Sequence, residues 1–151
     1  MFNGAKNDYV NIDTILEQVL KNRGLKEPKK YIESINEGAE HSYTLLKNID
    51  VAFKRFMQAI DGDEHIHIIV DSDPDGYASA TMLYSYTTKE LEYSNISFSL
   101  HTFKQHGITS DITIPPETKL LIVPDAGSHD YEQHKQLKEQ GIDTIVLDHH
   151  E

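Results

Sequence analysis

Three short runs of this sequence gather acids and imidazoles: Asp71-Ser72-Asp73-Pro74-Asp75-Gly76, Pro124-Asp125-Ala126-Gly127 and Asp148-His149-His150. Each follows an apolar stretch directly: HIHIIV at 65–70, KLLIV at 119–123 and DTIVL at 143–147. Carboxylates brought to one place repel one another, and one or two divalent cations relieve that repulsion. A donor set of carboxylate and imidazole suits Mn²⁺, with Mg²⁺ and Zn²⁺ as alternatives. The chain has no cysteine, so thiolate ligands, disulfides and a thiol nucleophile are excluded.

Each run has a plainer reading. Asp71-x-Asp73-x-Asp75-Gly76 fits the start of a calcium-binding EF-hand loop, but Met82 stands where that loop needs its closing glutamate. A strand, rather than a helix, is also expected before it. A phosphatase of the haloacid-dehalogenase type would explain a strand followed by Asp-x-Asp, but not a histidine pair after a later strand. Asp125 alone is an ordinary turn residue, and Asp148-His149-His150 alone is a solvated loop. The conjunction of three acidic runs, each after an apolar stretch, carries the case.

The elements that must position these residues can be read from periodicity. Ile12, Ile15, Leu16, Val19 and Leu20 form an apolar helix face, with Asn11 or Asp13 to cap it and Gly24 to stop it. Pro28 opens a second helix carrying Tyr31, Ile32 and Ile35 and ending near Gly38. Asp50 caps a third, with Phe53, Phe56, Met57 and Ile60 inward. Strands are expected at 65–70, at 96–100 with Ile96, Phe98 and Leu100 inward, at 119–123 and at 143–147, the last two buried. Helices are expected from Gly76 to about Leu91 and from His129 to Gln140, and a loop over 103–118. Short apolar strands alternating with helices predict an α/β fold with a mostly parallel sheet flanked by helices, preceded by N-terminal helices. In such sheets ligands sit at the carboxyl ends of the strands, so all three acidic runs converge on one edge.

Bulk composition sets limits. The 151 residues, 38% of them hydrophobic, suffice for one real core. A net charge of −11, from 25 acidic against 14 basic residues, argues against a surface that grips nucleic acid all round. No apolar run is long enough to cross a membrane. Met1 to Val10 lack the apolar core of a secretory signal, so the cytosol is the expected compartment.

Taken together and in order, Asp71-Ser72-Asp73-Pro74-Asp75-Gly76, Asp125 and Asp148-His149-His150 resemble the first three motifs of the DHH phosphoesterase superfamily. ILEQVLKNRGL at 15–25 and NIDVAFKRFMQAIDGDEHIHIIVDSDPDG at 48–76 are similar to the N-terminal helices of its RecJ-type single-strand nucleases. The resemblance implies an N-terminal helical segment over 1–60 and the first part of a DHH domain over 61–151. It implies metal-dependent phosphodiester hydrolysis, with single-stranded nucleic acid as substrate and 5′-to-3′ DNA exonuclease as the leading activity. It also implies Mn²⁺ or Mg²⁺, one or two ions, as cofactor.

Residue by residue, it makes Asp71, Asp73, Asp75 and Asp125 metal ligands, with Asp125 able to bridge two ions. His149 becomes a ligand, His150 a contact to substrate phosphate, and Asp148 the group that orients the histidines. His67 occupies a position where relatives that cleave cyclic dinucleotides often carry a ligand. It is equally read as lining a strand face. Lys104 and His106, in the loop Phe103-Lys104-Gln105-His106-Gly107, are candidate substrate contacts. The pattern continues in relatives with a fourth aspartate motif and a DHH-associated domain, neither of which is present. Three functions follow: the exonuclease, a phosphodiesterase for cyclic dinucleotides or very short oligonucleotides, and an inactive or assembly role. In the last, a second polypeptide or the missing C-terminal half would complete the site.

Overall fold

The computed structural model describes residues 12–34 and 42–150. The expected cap Asn11 and the expected helix end over Ile35 to Gly38 lie outside the described residues. The chain divides into two compact units, one ending at Leu46 and one running from Lys47. In the first, α1 (Ile12–Asn22) and α2 (Pro28–Ser34) pack together. Gly24, at φ 86°, ends α1 as its composition suggests: its amide donates to Lys21 O at 2.9 Å and that of Leu25 to Leu20 O at 3.0 Å.

The second unit is α/β. It comprises α3 (Ile49–Asp61), β1 (His65–Val70), α4 (Pro74–Ser85), β2 (Ile96–Leu100), β3 (Thr118–Pro124), α5 (Tyr131–Glu139) and β4 (Asp143–Leu147). The four strands form one all-parallel sheet in the order β2-β1-β3-β4. Alternation along the central strands sorts their side chains between two cores. Ile66, Ile68, Val70, Leu120 and Ile122 pack on one face with Phe56 and Ala59 of α3 and Ala80 of α4. Ile69, Leu121 and Val123 pack on the other with Leu137 of α5 and with Ile108 and Ile142. Each such aliphatic side chain, fully removed from water, contributes about 1.5–3 kcal/mol, so β1 and β3 are the firmest carriers available for a site.

Several details differ from the sequence-based expectation. Asp50 lies inside the first turn of α3, after Asn48 at the cap position, and does not cap the helix. Phe53 is 62% exposed and joins neither core, because the inward face of α3 is set by Phe56 and Ala59 nearer its end. In β2 only Ile96 is buried, while Phe98 and Leu100 remain about half exposed at 51% and 49%. β4 is only partly buried along its length. The reason is the same for both strands: they are the sheet's edges, which pattern alone does not distinguish from its centre. Finally, α4 begins at Pro74 rather than Gly76. Asp73 caps it, accepting the Gly76 amide at 3.1 Å, and Pro74 opens the first turn. Among the described residues no helix is long and apolar enough to cross a membrane.

Candidate metal centre

Because the four strands are parallel, the residues that follow them meet at one edge. β1 delivers Asp71 and Asp73, β3 delivers Asp125, β4 delivers Asp148, His149 and His150, and the loop after β2 delivers His106. Their donor atoms fall into three overlapping groups, each with atoms within 4.8 Å of one another: Asp71, Asp73 and His106; Asp73, Asp75 and Asp125; and Asp125, His149 and His150.

The innermost carboxylates are poorly satisfied. Asp71 is fully buried; its Oδ2 meets His106 Nδ1 at 2.7 Å, but Oδ1 has no partner. Asp125 is buried too, and its Oδ2 likewise has no partner, while Oδ1 lies 2.9 Å from His149 Nε2. Asp75, on the first turn of α4, lies 3.7 Å from the same nitrogen. A buried carboxylate oxygen without a partner costs stability unless something answers it. Carboxylates and imidazoles are the donor types that hold a hard or borderline divalent ion. The residues present therefore fit one.

Electrostatics separates neighbouring acids. Burial pushes the Asp125 carboxyl upward, and the charges of Asp75 and Asp73 add to that. The Gly76 amide holds Asp73 below the ordinary carboxylate range. Burial alone would raise Asp148, but the amides of His150 and Ser128 and further side-chain hydrogen bonds outweigh it and depress its carboxyl strongly. Asp148 accepts the His150 amide at 2.9 Å and the Ser128 amide at 2.9 Å, and meets His150 Nδ1 at 2.7 Å. That bond raises the His150 imidazole above its usual value. Asp148 thus ties the histidine pair to the turn after β3.

Two backbone features tighten the edge. Asp125 has φ 73°, in the left-handed region where a non-glycine residue is strained, and its amide donates to Leu147 O at 2.6 Å. Gly76 lets α4 start against Asp71, since a Cβ there would meet Asp71 Cβ at 2.5 Å.

The structure brings together Asp71, Asp73, Asp75, Asp125, His149 and His150, and sets two candidates apart. His67 is buried on a sheet face, with Nδ1 2.7 Å from Ser97 Oγ and Nε2 3.0 Å from Ser99 Oγ, and belongs to none of the three donor groups. Lys104 is exposed on the loop after β2 and belongs to none of them either. The sequence reading missed the contact between His106 and Asp71 and the role of the Ser128 amide. The first was findable only from strand order: once β2 pairs with β1, its following loop must arrive beside Asp71.

The profile described as the DHH family, N-terminal domain, matches residues 65–151. A putative SPbeta prophage-derived single-strand DNA-specific exonuclease, YorK, of Bacillus subtilis (strain 168) is 39% identical over 145 residues, covering 96% of this chain and 24% of that protein. The corresponding putative exonuclease of Bacillus phage SPbeta matches to the same extent, 39% over 145 residues. The single-stranded-DNA-specific exonuclease RecJ of Haemophilus influenzae is 29% identical over 110 residues, covering 70% of this chain and 19% of that protein. This chain thus spans about a quarter or less of the length of these relatives. No solved structure gives a significant match. With the three motifs meeting at one sheet edge and the family profile covering residues 65–151, the chain belongs to the DHH family.

Proposed function

We propose that this chain carries the first part of a divalent-metal-dependent phosphodiester hydrolase that degrades single-stranded DNA from its 5′ end. The observation that carries the reading is the buried, unpartnered oxygens of Asp71 and Asp125 within a ring of further acids and imidazoles. The relatives' names supply the substrate class. Mn²⁺ or Mg²⁺, one or two ions, fits the donors. When bound, such ions supply Lewis acidity and a lowered water pKa.

The protein's own part is positional. Asp71, Asp73, Asp75, Asp125 and His149 hold the charge at the sheet edge. Asp125, like Asp73, belongs to two donor groups and would be able to serve more than one ion. Asp148 fixes the His150 ring through Nδ1, so His150 is the group that meets a substrate phosphate. Lys104 offers the loop's positive charge to the strand. With a net charge of −11, general attraction for phosphates is weak, so recognition depends on these local groups. The alternative substrate, a cyclic dinucleotide or very short oligonucleotide, was suggested by His67. Both nitrogens of that ring are engaged by serines, which favours the single-strand reading.

The test is cleavage of end-labelled single-stranded DNA in Mn²⁺, by this chain and by the complete gene product side by side. We expect 5′-to-3′ products from the complete protein, and this chain slower by about a hundredfold or more. Comparable rates would show the chain to be sufficient alone. Faster cleavage of a cyclic dinucleotide would favour the alternative. No metal-stimulated cleavage of either substrate by the complete protein would overturn the reading.

A further inference from the structure

We propose that His106 is itself a cation ligand, so that the loop after β2 is fastened to the site by an ion rather than only facing substrate. The inference rests on the metal-dependent reading above.

The donors form a row that follows the strand order. His106 comes from the loop after β2, Asp71 and Asp73 from β1, Asp125 from β3 and His149 from β4. Asp73 is shared by the first two donor groups and Asp125 by the last two. The row therefore has His106 at one end, His149 with its neighbour His150 at the other, and carboxylates between. Because Asp148 already engages His150 Nδ1, the row suits two cation positions with His106 serving one and His149 the other. At the His106 end, Asp71 supplies the independent sign of a ligand: it is fully buried, and Oδ1 has no partner. Nδ1 of His106 is 2.7 Å from Asp71 Oδ2, a separation that two ligands of one ion can share.

The loop also holds His106 in place on both sides. After it, Gly107 adopts φ 70°, and a Cβ there would collide with the Asp130 carboxylate. That carboxylate accepts the Ile108 amide at 2.7 Å. Before it, the His101 side chain is fully buried, with Nδ1 3.3 Å from Thr109 Oγ1, and Thr109 in turn bonds Asp111. Such anchoring fixes a ligand before the ion arrives, which lowers the entropic cost of binding.

The experiment counts ions and histidine nitrogens rather than activity. The purified 151-residue chain is titrated with Mn²⁺ by calorimetry, and the bound ions are probed by pulsed electron paramagnetic resonance. The wild type should bind two ions and show nitrogen coupling from two imidazoles. His106→Ala should lose one nitrogen and weaken one of the two ions by about tenfold or more. His149→Ala should lose the other nitrogen, and the double variant both. Coupling that persists in His149→Ala with His106 intact tests the ligand without altering it, should His106→Ala fail to fold. An unchanged stoichiometry and nitrogen count in a folded His106→Ala protein would overturn this inference and leave the proposed function standing. A wild type that binds no Mn²⁺ would likewise overturn this inference, whereas the proposed function falls only with absence of metal-stimulated cleavage by the complete protein.

Discussion

The two edges of the sheet both collect carboxylates and treat them in opposite ways. At the edge where the strands start, Arg55 of α3 reaches Asp143 Oδ2 through Nε at 2.6 Å and Glu64 Oε2 through Nη2 at 2.6 Å. The same Nη2 donates to Lys119 O at 3.3 Å, and Lys138 meets Asp143 Oδ1 at 2.5 Å. One guanidinium so ties the beginnings of β1, β3 and β4 to α3. At the edge where the strands end, no lysine or arginine of the described residues pairs with the clustered acids. Lys138 and Arg55 pull the Asp143 carboxyl down, whereas burial and two neighbouring aspartates push Asp125 up. The same residue type is a stabilising partner at one edge and a cost at the other. A chain that answers one set of carboxylates with its own cations and leaves the other unanswered has, at the second edge, donors that could take a cation from outside.

The largest effect that could break this contrast is at Asp125. Under the proposed function, Asp125→Ala should lower metal-stimulated cleavage by the complete protein by about a thousandfold or more, since misplacing a reacting group by about 1 Å already costs about a hundredfold. In the isolated chain it should abolish most of the Mn²⁺-induced rise in melting temperature, because a ligand that binds only the folded state stabilises it by mass action. Without metal, the melting temperature should stay unchanged or rise, since the variant removes a crowded charge. A large fall in metal-free stability would show that Asp125 belongs to the framework, and the contrast between the edges would be lost. The mirror experiment is Arg55→Ala. It leaves Glu64 without its partner and Asp143 with Lys138 alone, and should cost about 2–3 kcal/mol in denaturant unfolding, with Mn²⁺ affinity in the folded fraction nearly unchanged.

How much of this was legible in the sequence depends on which chemistry announces itself locally. The three acidic runs and their strands could be read directly, because apolar runs that end in aspartate are local patterns. Asp73 as a helix cap was one step from legible, since Pro74 stands immediately after it. Strand order was not legible. It decides that β2 and β4 are edges, that Phe98 and Leu100 are half exposed, and that His106 reaches Asp71. Nor was the Arg55 clamp, whose partners are 9 and 88 residues away. His67, four residues before Asp71, was a candidate ligand by resemblance to relatives and equally a strand-face residue; strand alternation turns its ring to Ser97 and Ser99.

That buried ring gives the next test. His67 is held down to a pKa of about 4 by burial, with the nearby His65 adding to the effect. In the unfolded chain an imidazole takes a proton near pH 6.5. The unfolded state therefore binds more protons between these values, and stability is lost as pH falls from about 6.5 to about 4. The contribution is about 3 kcal/mol across that window. His67→Gln keeps a neutral hydrogen-bonding group and cannot charge, so the gap between the two proteins in denaturant midpoint should close as pH falls. A gap that is constant with pH would mean that His67 protonates in place, and that the sheet face between the two edges tolerates charge.

The smallest effect is at Lys138, and it sharpens the comparison by separating exposed pairing from buried pairing at the same edge. Its ammonium meets Asp143 Oδ1 with a side chain that is 74% exposed. An exposed pair of this kind gains little Coulomb energy in high dielectric and loses side-chain entropy on forming, so Lys138→Ala should cost about 0.2–1 kcal/mol. Salt should remove most of that difference, because exposed charges are screened over about 3 Å at 1 M ionic strength. Arg55, planar and bonded to two carboxylates at once, should keep most of its larger contribution in the same salt. At the opposite edge the sign reverses: salt screens the repulsion among Asp73, Asp75 and Asp125, so the metal-free protein should gain stability there. Unfolding the wild type, Lys138→Ala, Arg55→Ala and Asp125→Ala at low and at 1 M salt reads all three terms. A salt response equal in wild type and Asp125→Ala would show that the acids at the strand ends are already neutralised without metal, and that the two edges are not electrostatic opposites.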